Sequence, residues 1–448
     1  MTLPPNVWPS GAVRGADGAV RIGGVDLRDV AAEFGTPAYV LDEADFRARA
    51  RAFREAFGAA FAPLGVEVDV YYAGKAFLCT AVARWAHEEG LRIDTSTGGE
   101  LAVALRAGVP GADIGLHGNN KSDAEIARAL EVGVGRIVID SLDEVDRLAD
   151  AAAARGDGRR APVMVRLTTG VHAGGHEFIA TAHEDQKFGL SIAGGQAMAA
   201  LRAVLERPEL DLIGVHSHIG SQILDPSGFE VAARAVLELR AELAAASGYL
   251  LPEVDLGGGF GVAYLPGEVP LDPHRVAKDV AGVVDATCAD LRTAPPRISI
   301  EPGRAIVGPT TVTLYTVGTV KPVTVDETLT RTYVSVDGGM SDNLRPALYG
   351  ARYSAAIVSR HASSRAVPAR VVGKHCESGD IVVHDADLPD DVTRGDLLAV
   401  PVTGAYGRSM ASNYNLLTRP PVVAVRDGVA RVIVRRETED DLFALDVG

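Results

Sequence analysis

Short apolar runs that each end in a polar or glycine-rich cluster recur up to residue 300. They fall at 68–72, 91–94, 114–117, 136–139, 163–167, 212–215, 254–256 and 297–300. Between them lie Ala-rich stretches such as 99–107, 122–131, 141–154 and 194–205, whose apolar residues repeat at the spacing of one helix face. β-branched runs alternating with amphipathic helices predict βα units and a parallel sheet. Eight such runs span the length of one (β/α)8 barrel. An open doubly wound sheet is the competing architecture. No dinucleotide glycine fingerprint follows the first run, which favours the barrel.

Past Pro309 the pattern changes. Runs at 311–318, 332–336, 370–373, 381–384 and 396–402 are β-type, several alternate, and little helix separates them. Runs at 422–425 and 430–434 flank Asp427-Gly428, a strong hairpin signal. These runs predict an all-β C-terminal domain over 310–448. The first 35 residues hold one short strand-like run, at 19–22, and are expected to pack with that β domain, leaving 36–309 for the barrel.

Composition narrows the function classes. The 448 residues carry 44 Lys+Arg against 59 Asp+Glu, a formal charge of −15, with 47% hydrophobic and 23% charged residues. That balance is globular and excludes a disordered chain. A pI near 5.2 argues against nucleic acid as a partner, which demands clustered Lys and Arg. No uncharged apolar run reaches the ~18 residues of a membrane span, and residues 1–10 lack the basic and apolar regions of a signal peptide. Cys79, Cys288 and Cys376 are too few and too scattered for a disulfide framework. A soluble protein of the cytoplasm is expected.

A barrel builds its site on the loops after its strands. Those positions hold Lys75, then Ser96, Gly98 and Glu100, then His117 and Asn119, then His218 and Ser221. Gly257, Gly258 and Gly259 follow, and Glu301 and Arg304 close the series. A lysine in a barrel mouth can be desolvated and become nucleophilic enough for a Schiff base; a surface lysine on a loop is the other reading. The three glycines can converge backbone N–H groups on a phosphate, or simply turn the chain. His216 and His218 offer rings to a flat cofactor, although strand alternation could instead place His216 in the core. Glu301 and Arg304 either pair with each other or serve a ring nitrogen and a carboxylate respectively.

His172 and His176 are four apart, with His183 beyond, but Ala173-Gly174-Gly175 between them speaks against a helix face, and no metal site is expected. Cys376 sits between Lys374-His375 and an acidic stretch, a setting compatible with either an inert thiol or an exposed proton donor.

Together these motifs resemble those of the diaminopimelate decarboxylases, pyridoxal-phosphate enzymes of the alanine racemase-like barrel class. The resemblance runs from about Thr36 to Phe443, in the family's order. Tyr72-Ala73-Gly74-Lys75-Ala76 is similar to the cofactor-lysine motif, although Gly74 and Phe77 depart from residues common there. His117-Gly118-Asn119-Asn120-Lys121 and Gln186-Lys187-Phe188-Gly189 match intermediate landmarks. Residues 216–222, 255–261 and 301–304 resemble three cofactor loops, and Cys376-Glu377-Ser378 and Gly404-Ala405-Tyr406 the C-terminal site segments.

The resemblance implies a (β/α)8 TIM barrel binding pyridoxal 5'-phosphate, with an all-β C-terminal domain joined by the N-terminal segment. It implies that Lys75 holds the cofactor as a Schiff base and His218 stacks on its ring. Ser221, Gly257, Gly258, Gly259, Pro302, Gly303 and Arg304 would surround the phosphate, with Asp94 and Tyr406 also at the cofactor. Glu301 would keep the pyridine nitrogen protonated; related racemases place an arginine there, so an acid favours decarboxylation.

Ornithine and arginine decarboxylases share the barrel but bind only a distal cation. Arg345 and Tyr349, in a segment resembling the family's carboxylate-binding one, would with Arg304 and Tyr406 accept the distal carboxylate of meso-diaminopimelate. Glu377 would take the distal ammonium and Cys376 would protonate the α-carbon, both acting in the partner's site of a homodimer. The product would be L-lysine. A carboxylated polyamine precursor is the nearest alternative substrate. A catalytically dead regulator on the same fold should lack Lys75 or Cys376.

Overall fold

The computed structural model describes residues 3–170, 187–327, 330–363 and 365–448. His172, His176, His183 and Gln186 lie outside the described residues. The chain divides into two units, one of Arg49–Gly261 with Leu271–Gly303, the other of Met1–Ala48, Val262–Pro270 and Arg304–Gly448.

In the first unit, eight strands close into a parallel barrel: Val68–Ala73, Arg92–Thr95, Ile114–Leu116, Arg136–Ile139, Ala161–Thr168, Leu210–Ser217, Glu253–Asp255 and Arg297–Ile300. Each pairs with the next, and Arg297–Ile300 returns to Val68–Ala73. Helices cover the strands, so parallel runs such as Arg136–Ile139 are buried along their whole length. Polar residues start the helices where the sequence turns from strand to helix. Thr97 and Ser141 accept N–H bonds at the starts of Gly98–Arg106 and Leu142–Ala154, and Ser122 with Glu125 forms a reciprocal cap on Asp123–Val132. No helix among the described residues is long and apolar enough to cross a membrane.

The second unit is built on a sheet in the order Ile381–Pro389, Ala366–Val372, Thr330–Val336, Thr311–Thr324, Ala38–Asp42, Val422–Arg426, Val429–Val434. Asp427 and Gly428 turn the last hairpin with φ of +51° and +79°, the left-handed conformations such a two-residue turn needs. The N-terminal residues form a small sheet of Val13–Arg14, Val20–Ile22 and Val25–Asp26. Val20 donates to Val358 O at 2.9 Å and Gly428 donates to Gly23 O at 2.8 Å, tying that sheet to the β unit.

One boundary expectation is corrected. Ala38–Asp42, expected inside the barrel range 36–309, pairs antiparallel with Thr311–Thr324 and parallel with Val422–Arg426. All five of its residues are buried, and a buried apolar run carries no mark of which sheet it will join. Val262–Pro270 and residues 304–309 likewise group with the β unit rather than the barrel.

A buried ion pair braces one loop of the barrel mouth. Lys121, 3% exposed, donates to Gly118 O at 2.8 Å, Val138 O at 2.5 Å and Glu144 Oε1 at 2.6 Å. Removing one partner strands the other charge in the interior. Lys121→Met should therefore cost about 3–5 kcal/mol in denaturant unfolding, and adding Glu144→Gln should recover part of the loss. A single substitution with no cost, or a double that is worse, contradicts this pairing.

Candidate active site

Lys75 follows the strand Val68–Ala73 on a short turn, Gly74–Ala76. Tyr72 Oη donates to Phe77 O at 2.7 Å and holds that turn against the strand. A Cβ at Gly74 would meet Asp94 O at 2.7 Å. The close approach of the next strand thus accounts for the glycine, where the motif departs from its relatives. The Lys75 side chain is exposed, which is the surface-lysine setting rather than the desolvated one. Its positive charge acts on both His218 and Glu100, which places the amine among the other strand-end residues.

Glu301 ends the strand Arg297–Ile300 and is 3% exposed. Two imidazoles stand against it. His117 Nε2 lies 3.2 Å from Glu301 Oε1 and 2.5 Å from Asp94 Oδ1. His216 Nε2 lies 3.3 Å from Glu301. The two rings meet edge to face at 4.9 Å. Burial works against a charged His117, but Asp94 and Glu301 outweigh it and raise its pKa to about 9. Burial pushes His216 down to about 3, with Glu301 pulling the other way. His117 is thus a cation and His216 a neutral donor. Burial likewise opposes ionisation of Glu301, yet the two imidazoles hold it well below the usual carboxylate range. Asp94 is pushed up by burial and by Glu301.

The glycine turn fits only glycine. Cβ atoms at Gly257, Gly258 and Gly259 would lie 2.4 Å from Ser217 O, 2.3 Å from Glu301 O and 2.7 Å from Gly220 O. Gly257 and Gly259 also have φ of +68° and +113°. Three strand-end backbones therefore press together here. Gly258 N–H donates to His218 Nδ1 at 3.2 Å, leaving Nε2 as the protonated nitrogen of that ring when it is neutral. Burial and the charges of Lys75 and Arg166 lower His218 well below its ordinary pKa. Pro302 O accepts from Ala73 N at 3.3 Å, and a Cβ on Gly303 would meet Ala73 Cβ and O at 2.9 Å. Those contacts pack the 301–303 loop against the lysine strand. Ser221 is half-buried next to Gln222, whose φ is +60°.

The β unit holds a second cluster. Arg304 is hydrogen-bonded to Tyr264 Oη and lies 4.7 Å from the Tyr406 ring. Arg345 lies 4.7 Å from the Tyr264 ring and donates to Tyr353 Oη at 2.5 Å. Burial would raise Tyr264, but the two guanidiniums lower its pKa below the ordinary phenol value. Tyr349, the expected partner of Arg345 in substrate binding, is half-buried on the short helix Arg345–Tyr349. Cys376 and Glu377 are exposed. Cys376 N donates to Asn415 Oδ1 at 3.2 Å, and Glu377 Oε1 accepts from Gly379 N at 3.1 Å.

The sequence reading missed Arg136, Tyr264 and Tyr353. None sits in a glycine-rich or strand-end motif, and only the charge of Arg136 within the apolar run 136–139 could have drawn notice.

A parallel barrel with a strand-end lysine, a buried acid and a glycine turn defines the barrel class of pyridoxal-dependent decarboxylases. The family model "pyridoxal-dependent decarboxylase, pyridoxal binding domain" matches residues 43–308. The diaminopimelate decarboxylase of Mycobacterium tuberculosis is 53% identical over 100% of this chain and 99% of its own length. That of Bacillus subtilis is 44% identical over 96% and 95%. A diaminopimelate decarboxylase from M. jannaschii, solved in complex with L-lysine, superposes with a TM-score of 0.89 at 32% identity, covering 98% of each chain. The chain belongs to the diaminopimelate decarboxylase family.

The barrel residues fit pyridoxal phosphate. A reachable primary amine, an ionised acid buried beside two imidazoles, and a turn stripped of side chains supply what an aldehyde, a ring nitrogen and a phosphate each require.

The raised pKa of His117 has a signed consequence. A folded-state value of about 9 against an ordinary 6.5 means the stabilisation is full below pH 6.5 and is lost as pH rises through 9. The stability gap between the parent and His117→Asn, read from denaturant unfolding, should shrink by about 3 kcal/mol across that window. A gap that stays flat or widens contradicts the ion pair.

Proposed function

We propose that this chain decarboxylates meso-2,6-diaminopimelate to L-lysine and CO2 with pyridoxal phosphate as cofactor. The observation that carries the reaction class is Glu301, buried with the imidazoles of His117 and His216 against its carboxylate. Substrate choice is supported by the full-length likeness to diaminopimelate decarboxylases and by the paired guanidiniums of Arg304 and Arg345. When bound, the cofactor supplies a conjugated ring that delocalises the electron pair left as the Cα–carboxylate bond breaks.

The residues then divide the work. Lys75 Nζ would hold the cofactor's aldehyde carbon until the substrate's α-amine takes its place. Glu301 would keep a proton on the ring nitrogen, with Asp94 and His117 fixing the carboxylate in place. His218 would lie against the ring face. Ser221, Gly257, Gly258, Gly259, Pro302, Gly303 and Arg304 would enclose the phosphate. Arg304, Arg345, Tyr349 and Tyr406 would bind the distal carboxylate, where fork-shaped donors suit two oxygens. Glu377 would accept the distal ammonium. Cys376 would deliver a proton to the α-carbon after CO2 has left.

Cys376 and Glu377 would act in the site of a second copy, making a homodimer the active unit. Their exposure on the β unit supports that reading. Lys75→Ala and Cys376→Ala should each abolish lysine formation from meso-diaminopimelate. Co-expressed under two tags, they should form a mixed dimer with one intact site. Random assortment makes about half of all dimers mixed, so about a quarter of parental activity should return. No lysine from the parent protein would refute the reaction, and an inactive mixed dimer would refute the shared site alone.

A further inference from the structure

Beneath the glycine turn, the barrel interior holds a charge. Arg136 begins the strand Arg136–Ile139 and is 1% exposed. Its Nη1 donates to Glu253 Oε1 and Ser299 Oγ, both at 2.8 Å, and its Nη2 donates to Asp255 Oδ2 at 2.5 Å. The guanidinium also lies 3.6 Å from the centre of the Tyr71 ring. Four strands thus converge on one side chain. A Cβ at Gly115 would meet Arg136 Nε at 3.4 Å, an ordinary contact, and Asp94 Oδ1 more tightly at 3.2 Å.

The network leads to the site through Asp255. Its Oδ2 faces Arg136, while its Oδ1 accepts the Gly257 N–H at 2.7 Å. Gly257 O in turn accepts the Glu301 N–H at 2.8 Å. One carboxylate therefore sets the first residue of the turn, and the turn sets the backbone of the buried acid. Asp255 is fully buried, and burial together with Glu301 pushes it up to about 8, with Arg136 opposing. Both carboxyl oxygens act as acceptors, and the Arg136 guanidinium is the cation that favours the charged form.

We infer that Arg136 is a positioning residue: through Asp255 it fixes the 257–259 turn for the cofactor's phosphate and the backbone of Glu301 for its ring nitrogen. The inference rests on the cofactor assignment above and deepens it.

The test is a titration of cofactor-free protein with pyridoxal phosphate, followed by absorbance and by quenching of intrinsic fluorescence, alongside the melting temperature of the same samples. Arg136→Met should weaken cofactor affinity about tenfold or more, and Asp255→Asn should do the same. The double variant should be no weaker than the worse single, because both changes cut one path. Glu253→Gln touches the same guanidinium but not the turn. It should lower the melting temperature and leave affinity within about twofold. Arg136→Lys should recover part of the lost affinity. If Arg136→Met does not fold, the near-isosteric Asp255→Asn decides. A parent protein that does not bind pyridoxal phosphate overturns the cofactor assignment and this inference with it. A parent that binds, with Asp255→Asn unchanged in affinity, overturns the inference alone. So do losses in the double variant that simply multiply.

Discussion

A carboxylate in a barrel interior must be matched by charge or it takes up a proton, since desolvation costs several kcal/mol per ion. Glu301 meets that constraint with a layered arrangement. His117 is the cation, its Nε2 facing both Glu301 and Asp94, and His216 is the neutral donor. Each partner comes from the end of a different barrel strand. The fold must therefore close, in register, for the acid to be buried and still ionised.

The same requirement extends inward. Glu253 and Asp255 are further buried acids, and Arg136 reaches across from its own strand to donate to both. Glycines then solve the steric side of the problem. Gly257, Gly258 and Gly259 let three backbones touch where side chains would hold them apart. Charge balance and close backbone approach are two parts of one construction. Its outer surface is the lysine turn and the glycine turn.

The strand-and-helix rhythm was legible because buried parallel strands are short apolar runs whatever they enclose. All eight barrel strands lie within a few residues of the runs read from the sequence, and the Asp427-Gly428 hairpin is where its turn chemistry put it. Candidate residues in glycine-rich or strand-end motifs could be singled out for the same reason, as local chemistry marks them. Ala38–Asp42 was misplaced because partner choice for a buried strand is decided by distant residues. The exposure of Lys75, the Tyr264 and Tyr353 contacts of the two arginines, and the role of Arg136 depend on side-chain paths through space. Spacing along the chain does not encode those paths.

The central claim is that Glu301 is ionised and that its charge keeps a proton on the cofactor's ring nitrogen. The most direct measurement is the nitrogen-15 resonance of ring-labelled pyridoxal phosphate bound to the protein at neutral pH. The account predicts a shift typical of a protonated pyridinium in the parent, moving toward neutral pyridine when Glu301 is replaced by glutamine. A neutral-pyridine shift in the parent protein would contradict it.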